Sequence, residues 1–187
     1  AYSADGRWLV AVSRESVACV WDAESFEEFR RFPHSCQLLS ARFSPDARRL
    51  VTAGNDGVAR VFDIKTGRLS MTLTNADAVH FSDFSHDGHL IVTTSRDGTA
   101  RLWDSENGAP RGAPLKHTGC VTYAAFSPDD AKLVTASLDR KAQVWDTATG
   151  RKLSPDLEHR NGARSAEFSP DGRLILTASD DGTARLW

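Results

Sequence analysis

An aromatic residue recurs along this 187-residue chain with a near-constant period: Tyr2, Phe43, Phe84, Phe126 and Phe168 stand 41, 41, 42 and 42 residues apart. A second series, Trp21, Phe62, Trp103, Trp145 and Trp187, keeps the same spacing. Two landmarks that share one period exclude coincidence. They constrain the chain to a stack of like units, because a repeat of this size cannot bury an apolar face alone and must pack on its neighbours.

The wording inside one period is clearest in the last copy, Phe168 to Trp187, FSPDGRLILTASDDGTARLW. A turn follows the first aromatic in every copy: Asp5-Gly6, Asp46-Ala47, Asp87-Gly88, Asp129-Asp130 and Asp171-Gly172. Pro45, Pro128 and Pro170 preset the backbone for it. An apolar run such as Leu174–Ser179 comes next. It lacks strict alternation, which predicts a strand buried on both faces, and Ala53, Ala136 and Ala178 give neighbouring sheets room to approach. A second turn, at Asn55-Asp56-Gly57, Arg96-Asp97-Gly98 or Asp180-Asp181-Gly182, reverses the chain into a strand ending at the second aromatic. The segment after it is the least regular. Pro110, Pro114 and Pro155 cannot donate to a ladder, so these segments belong at a sheet edge. No helix is expected.

Trp21-Asp22, Trp103-Asp104 and Trp145-Asp146, in the context FSPDG…TAS.DGTARLWD, resemble the WD40 family of β-propellers, and the wording is similar to the family's bacterial branch. The resemblance spans the whole chain. It implies an all-β fold, a single propeller segment of about four and a half blades, each a four-stranded antiparallel sheet, set in an open arc or incompletely closed ring. The repeat units are approximately 1–33, 34–74, 75–116, 117–158 and 159–187. The first begins at a turn, and Trp187 lacks the aspartate that follows the other four copies, so the segment is expected to be truncated at both ends. The resemblance also makes the strand ending at Phe43, Phe84, Phe126 or Phe168 the innermost. The strand from Thr183 to Trp187 would be an exposed edge open to self-association.

The family's internal hydrogen-bond network joins a His before the inner strand, a Ser or Thr in the second strand, an Asp in the following turn and the Trp of the third. His117, Thr135, Asp139 and Trp145 match it, as do His159, Thr177, Asp181 and Trp187. The other three copies are incomplete. The set His34, Thr52 and Asp56 ends in Phe62, which has no indole N–H. The set Thr93, Asp97 and Trp103 carries Asn75 in place of His, and the first unit has Ala11 and Glu15 for Thr and Asp. A hydroxyl, a His and an Asp also make up hydrolytic triads. A catalytic set occurs once at a cleft, however, whereas this one recurs with the structural period and includes Trp as a buried donor.

Other catalytic signals are absent: there is no phosphate loop, GxGxxG, HExxH or GxSxG. His86 and His89 bracket one turn, with His80 nearby, but other copies hold Pro45 and Arg48 or Pro170 and Arg173 at the same two positions, so they read as turn variants and not metal ligands. Asp83 and Glu167 could line a channel. Arg42 and Ala125 at that position leave no carboxylate ring. No cofactor and no catalytic activity is expected.

With 23 basic and 25 acidic residues, the charge suggests neither a nucleic-acid footprint nor a polybasic membrane patch. Cys19, Cys36 and Cys120 form no CxxC pair, which favours a reducing, cytoplasmic setting. The resemblance implies a non-catalytic scaffold for a protein or peptide, or else a regulatory module of a larger bacterial signalling enzyme, a Ser/Thr kinase or NTPase. Specificity is expected where the period breaks on one face. The residue before the second turn varies as Arg14, Asn55, Arg96, Leu138 and Asp180. A position early in the inner strand varies as Leu39, His80, Thr122 and Arg164, beside Phe81 and Tyr123.

Overall fold

A computed structural model describes residues 1–13 and 15–187; Arg14 lies outside the described residues. Five antiparallel sheets follow one another along the chain, and among the described residues there is no helix. The first sheet holds β1 (Trp8–Val12), β2 (Val17–Asp22) and β3 (Glu28–Pro33). Ala1 exchanges backbone hydrogen bonds with Val10, and Tyr2 bridges Leu9, so the first residues stand where an inner strand would run. The second sheet holds β4 (Leu38–Phe43), β5 (Arg49–Gly54), β6 (Val58–Asp63) and β7 (Leu69–Thr74).

The third sheet comprises β8 (Val79–Phe84), β9 (Leu90–Ser95), β10 (Thr99–Asp104) and β11 (Leu115–Lys116), and the fourth β12 (Val121–Phe126), β13 (Lys132–Ser137), β14 (Lys141–Asp146) and β15 (Leu157–Glu158). The fifth has β16 (Ala163–Phe168), β17 (Ile175–Ser179) and β18 (Ala184–Leu186). Sequence order equals spatial order in every sheet. The outer strands β11 and β15 shrink to two residues where Pro110, Pro114 and Pro155 interrupt the ladder, leaving isolated bridges at Pro110 and Lys152. Asp156 holds the second of these loops in place. Lys141, Lys152 and Gln143 all donate to its carboxylate, and the two lysines press its pKa down to about 2.

The first turn of each unit fits its residues with two exceptions. Gly88 and Gly172 take positive φ (75° and 69°) after the first turn aspartate, but Ala47 and Asp130 are forced to 56° at the equivalent position. A side chain there is strained. Asp130 has a compensation: its carboxylate accepts from the amides of His86 (3.0 Å) and Asp87 (2.8 Å) and from the His86 ring (2.8 Å), tying the turn of the fourth sheet to that of the third. His86 thus pairs with a neighbouring sheet, while His89 follows its own Asp87.

The core is not one cluster but four, one between each pair of successive sheets. Val10, Val51, Val92 and Val134 occupy one register on the face toward the next sheet, and Leu50, Ile91 and Leu133 another on the face toward the preceding one. A second strand such as β13 therefore buries both faces, as its unbroken apolar run predicts. The sheets do not close into a ring. At the fifth, the matching position Leu176 is 52% exposed and Leu186 63%. β18 is an unpaired edge, shorter by one residue at each end than the stretch expected from the sequence.

The same register slot thus lies in two environments. Truncating Val134 to Ala, fully buried, should cost about 2 kcal/mol from lost burial and the cavity left behind. Leu176→Ala should stay within about 0.5 kcal/mol. Paired urea titrations would show whether the outer face of the fifth sheet is as open as described.

Candidate functional site

The second strand of each of the last four sheets carries a threonine with no solvent exposure, Thr52, Thr93, Thr135 or Thr177, whose hydroxyl must find partners inside the sheet. In the fourth sheet the Trp145 indole donates to the Thr135 hydroxyl at 2.8 Å. Thr135 lies 2.8 Å from His117 Nε2, and His117 Nδ1 lies 2.9 Å from Asp139. One order of protons that satisfies all three contacts is indole N–H to hydroxyl, hydroxyl to Nε2, and Nδ1–H to carboxylate. The amides of Thr118 (3.0 Å) and Lys141 (3.1 Å) complete the Asp139 carboxylate. Burial opposes ionisation, but the His117 hydrogen bond and these amides hold the Asp139 pKa below the usual carboxylate range.

The fifth sheet repeats the chain through Trp187, Thr177, His159 and Asp181, at 2.9, 2.7 and 3.3 Å. Thr183 and the Arg160 amide depress the Asp181 pKa further. The hydroxyls and imidazoles are enclosed within the sheets, so no substrate reaches them: both His side chains have no exposed surface. These groups hold turns together and do not form a reaction centre.

The incomplete copies differ more than the sequence indicates. His34 still meets Thr52 (2.9 Å), but its Nδ1 turns to the Phe32 carbonyl (2.8 Å) because Asp56 is taken by Arg60 at 2.6 Å. Phe62 fills the indole space, edge-on to His34 at 5.4 Å. In the third sheet Trp103 donates to Thr93 (2.9 Å) and Thr93 donates to Asn75 Oδ1 (3.1 Å), so the amide oxygen replaces the imidazole acceptor. Asn75 Nδ2 is left buried without a partner, and Asp97 instead accepts from the Ala76 amide.

The chain matches the family description WD domain, G-beta repeat, over residues 27–63, 67–104, 113–146 and 152–187. It belongs to the WD40 family. No curated protein sequence matches it. WD40 repeats generally mediate protein–protein interactions and are generally non-catalytic. Among the described residues no helix is long and apolar enough to cross a membrane. Among the described residues no group of three His, Cys, Asp or Glu side chains could hold a metal ion.

The variable positions of the WD40 inner strands have a structural cause. β4, β8, β12 and β16 each skip one residue in pairing with the next strand, between Leu38 and Ser40, Val79 and Phe81, Val121 and Tyr123, and Ala163 and Ser165. The skipped residues are Leu39, His80, Thr122 and Arg164. A bulged residue is released from the ladder and its side chain re-aimed. His80, Arg96 and Arg164 come together at this end of the strands: burial lowers the His80 pKa first, and the charges of Arg96 and then Arg164 lower it further. Burial raises the Cys120 thiol, against the same two arginines.

Several other members of the expected surface are engaged in contacts of their own. Phe81 is only 4% exposed, stacked beneath Tyr123 at 4.3 Å with the Arg42 guanidinium 4.9 Å from its ring centre. It is a support and not a contact residue. Tyr123 donates to Glu167 (3.0 Å), and burial followed by that carboxylate pushes its pKa up to about 12. The Thr122 hydroxyl is engaged by carbonyls of its own and the next sheet, including Ala163 at 3.0 Å. Arg164 pairs with Asp180 at 2.7 Å. Asn55 and Arg96 are exposed, and Arg14 lies outside the described residues. Arg42 joins this group from the repeat position that Asp83 and Glu167 hold in other copies.

Asp83 faces Arg42 Nε at 3.8 Å in the inner wall. Burial drives its carboxyl up to about 6, with Arg42 opposing, although a third of the side chain (34%) stays open. An acid whose folded pKa exceeds its unfolded one holds its proton longer in the folded state, so stability falls as pH rises from about 4 to about 6 and remains lower above. Asp83→Asn should remove that loss. It should be more stable than the parent by on the order of 1 kcal/mol at pH 7.5, allowing for solvent screening, and indistinguishable at pH 4.

The two kinds of network give a second contrast. His117→Ala strands both a hydroxyl and a buried carboxylate and should cost about 3 kcal/mol, whereas Asn75→Ala removes an acceptor and an orphaned donor together and should cost about 1 kcal/mol. Equal shifts in denaturation midpoint would contradict the hydrogen-bond chain.

Proposed function

We propose that this chain is a non-catalytic scaffold that holds an acidic, partly apolar segment of a protein partner at the surface formed by His80, Arg96, Tyr123 and Arg164. The observation that carries this reading is the convergence of Arg96 and Arg164 on His80 at the bulged ends of the inner strands. Three nitrogen-bearing side chains gather there in a chain whose overall formal charge is -2. Arg164 is partly neutralised by Asp180 and the Asp77 carboxylate also acts on His80, while Arg96 makes no ion pair among the described residues. Arginine and tyrosine are also the residue types that most often anchor interfaces.

Under this reading the partner is a protein or peptide, not nucleic acid or membrane. The structural networks through His117 and His159 serve to hold the turns that carry Arg96's neighbours. Service as a regulatory module of a larger bacterial signalling enzyme, in the cytoplasm, would use the same surface. Peptide display against the chain should enrich acidic sequences with one or two apolar residues. Arg96→Ala should weaken an enriched peptide about tenfold, Arg164→Ala less because Asp180 already offsets its charge, and Arg173→Ala at the opposite end of the strands should not change it. Equal losses for Arg96→Ala and Arg173→Ala would place binding elsewhere.

A further inference from the structure

At the opposite end of the strands, on the side of the Asp-Gly turns, a cavity of about 600 Å³ opens between the first and second sheets. Its volume lies within the range of small-molecule sites. Arg7, Trp8 and Phe29 line one side, and Arg48, Asp63 and Lys65 the other. Several of these residues break the repeat. Trp8 stands where other copies have Arg49, Leu90, Lys132 and Leu174, Lys65 where they have Glu24, Glu106 and Ala148, and Phe29 where the second has Ser70.

The walls are held in place. The Trp8 and Phe29 rings meet at 4.5 Å, the Arg7 guanidinium lies 4.6 Å from the Trp8 ring centre, and Phe29 keeps 41% of its surface open. Arg30, next in sequence to Phe29, donates to the Lys65 carbonyl at 3.0 Å and fixes the two sheets at this point. The nearby carboxylates are turned to their own loops: Asp63 accepts from the Thr66 amide and hydroxyl, Asp22 from the Glu24 and Ser25 amides, Asp5 from Ser3, and Asp46 from Ser44 and the Arg48 amide. Among the described residues Arg7, Arg48 and Lys65 form no ion pair. Three cations therefore face a cavity with one engaged acid and an open aromatic ring.

The geometry points to a site for a planar aromatic ring that carries a phosphate, the chemistry shared by a nucleoside monophosphate and a phosphotyrosine side chain. The ring lies against Phe29 and the rim of Trp8, and the phosphate sits among Arg7, Arg48 and Lys65. Guanidinium groups match phosphate oxygens in pairs and also stack on aromatic planes, so this combination selects a ligand with both features over one with either alone. The site is independent of the partner surface proposed above, since Arg96 and Arg164 lie at the other end of the strands.

Calorimetric titration of the chain with AMP, O-phosphotyrosine, adenosine and inorganic phosphate tests the assignment. Saturable binding of AMP or phosphotyrosine is expected, at least about tenfold tighter than adenosine or phosphate, and weakening with added salt. Whichever of the two binds more tightly identifies the source. Arg48→Ala and Lys65→Ala should each reduce that affinity about five- to tenfold, Phe29→Ala should reduce it for the ring ligands only, and Arg96→Ala should leave it unchanged. Arg48 and Lys65 are exposed, so their variants keep the fold, which circular dichroism verifies. No saturable heat up to about 10 mM ligand, phosphate binding as tight as AMP, or affinity indifferent to both Arg48→Ala and Lys65→Ala would overturn the proposal.

Discussion

A sheet that is apolar on both faces cannot exist singly in water, and every other feature of this chain answers to that constraint. Val10, Val51 and Val92 are buried only because Leu50, Ile91 and Leu133 belong to strands that present a second apolar face to the sheet before. Burial is thus a property of neighbouring pairs and not of a common centre. Small residues at Ala53 and Ala136 bring the sheets together. Once packed so closely, the sheets leave no water for a polar group in their midst, and the threonine in each second strand needs a protein partner.

The Trp–Thr–His–Asp chain meets that need and extends it outward. It begins at a group that must be satisfied, the fully buried hydroxyl, and ends on a carboxylate that gathers the amides of a surface turn. The incomplete copies show which links can be replaced. Asn75 restores the acceptor but leaves a donor unpaired, and His34 satisfies itself on Phe32 while Asp56 turns to Arg60. The hydroxyl is served in all four cases. What varies is whether the turn is tied to the core.

Much of the fold was legible in the sequence because it is periodic. Paired turns mark the strand ends, and unbroken apolar runs mark strands with two buried faces. The prolines at 110, 114 and 155 mark the outer strands that shorten to two residues. The candidate surface was less legible, because it depends on contacts between copies. Phe81 and Tyr123 look alike as aromatics one period apart, yet one covers the other. The strained Asp130 reads as a poor turn residue, and only the neighbouring turn of His86 and Asp87 explains its side chain. The bulges themselves leave no mark beyond variability at Leu39, His80, Thr122 and Arg164.

Those bulges separate two kinds of information within one strand. The residues on either side of each bulge are committed to the ladder, whereas the skipped residue is released from it. Substitution there leaves the ladder intact. Leucine, histidine, threonine and arginine can therefore occupy the same place in four otherwise similar strands. The inner wall works like a row of letters on a fixed frame: neighbouring letters touch, but its chemical text can be rewritten without breaking the ladders that display it.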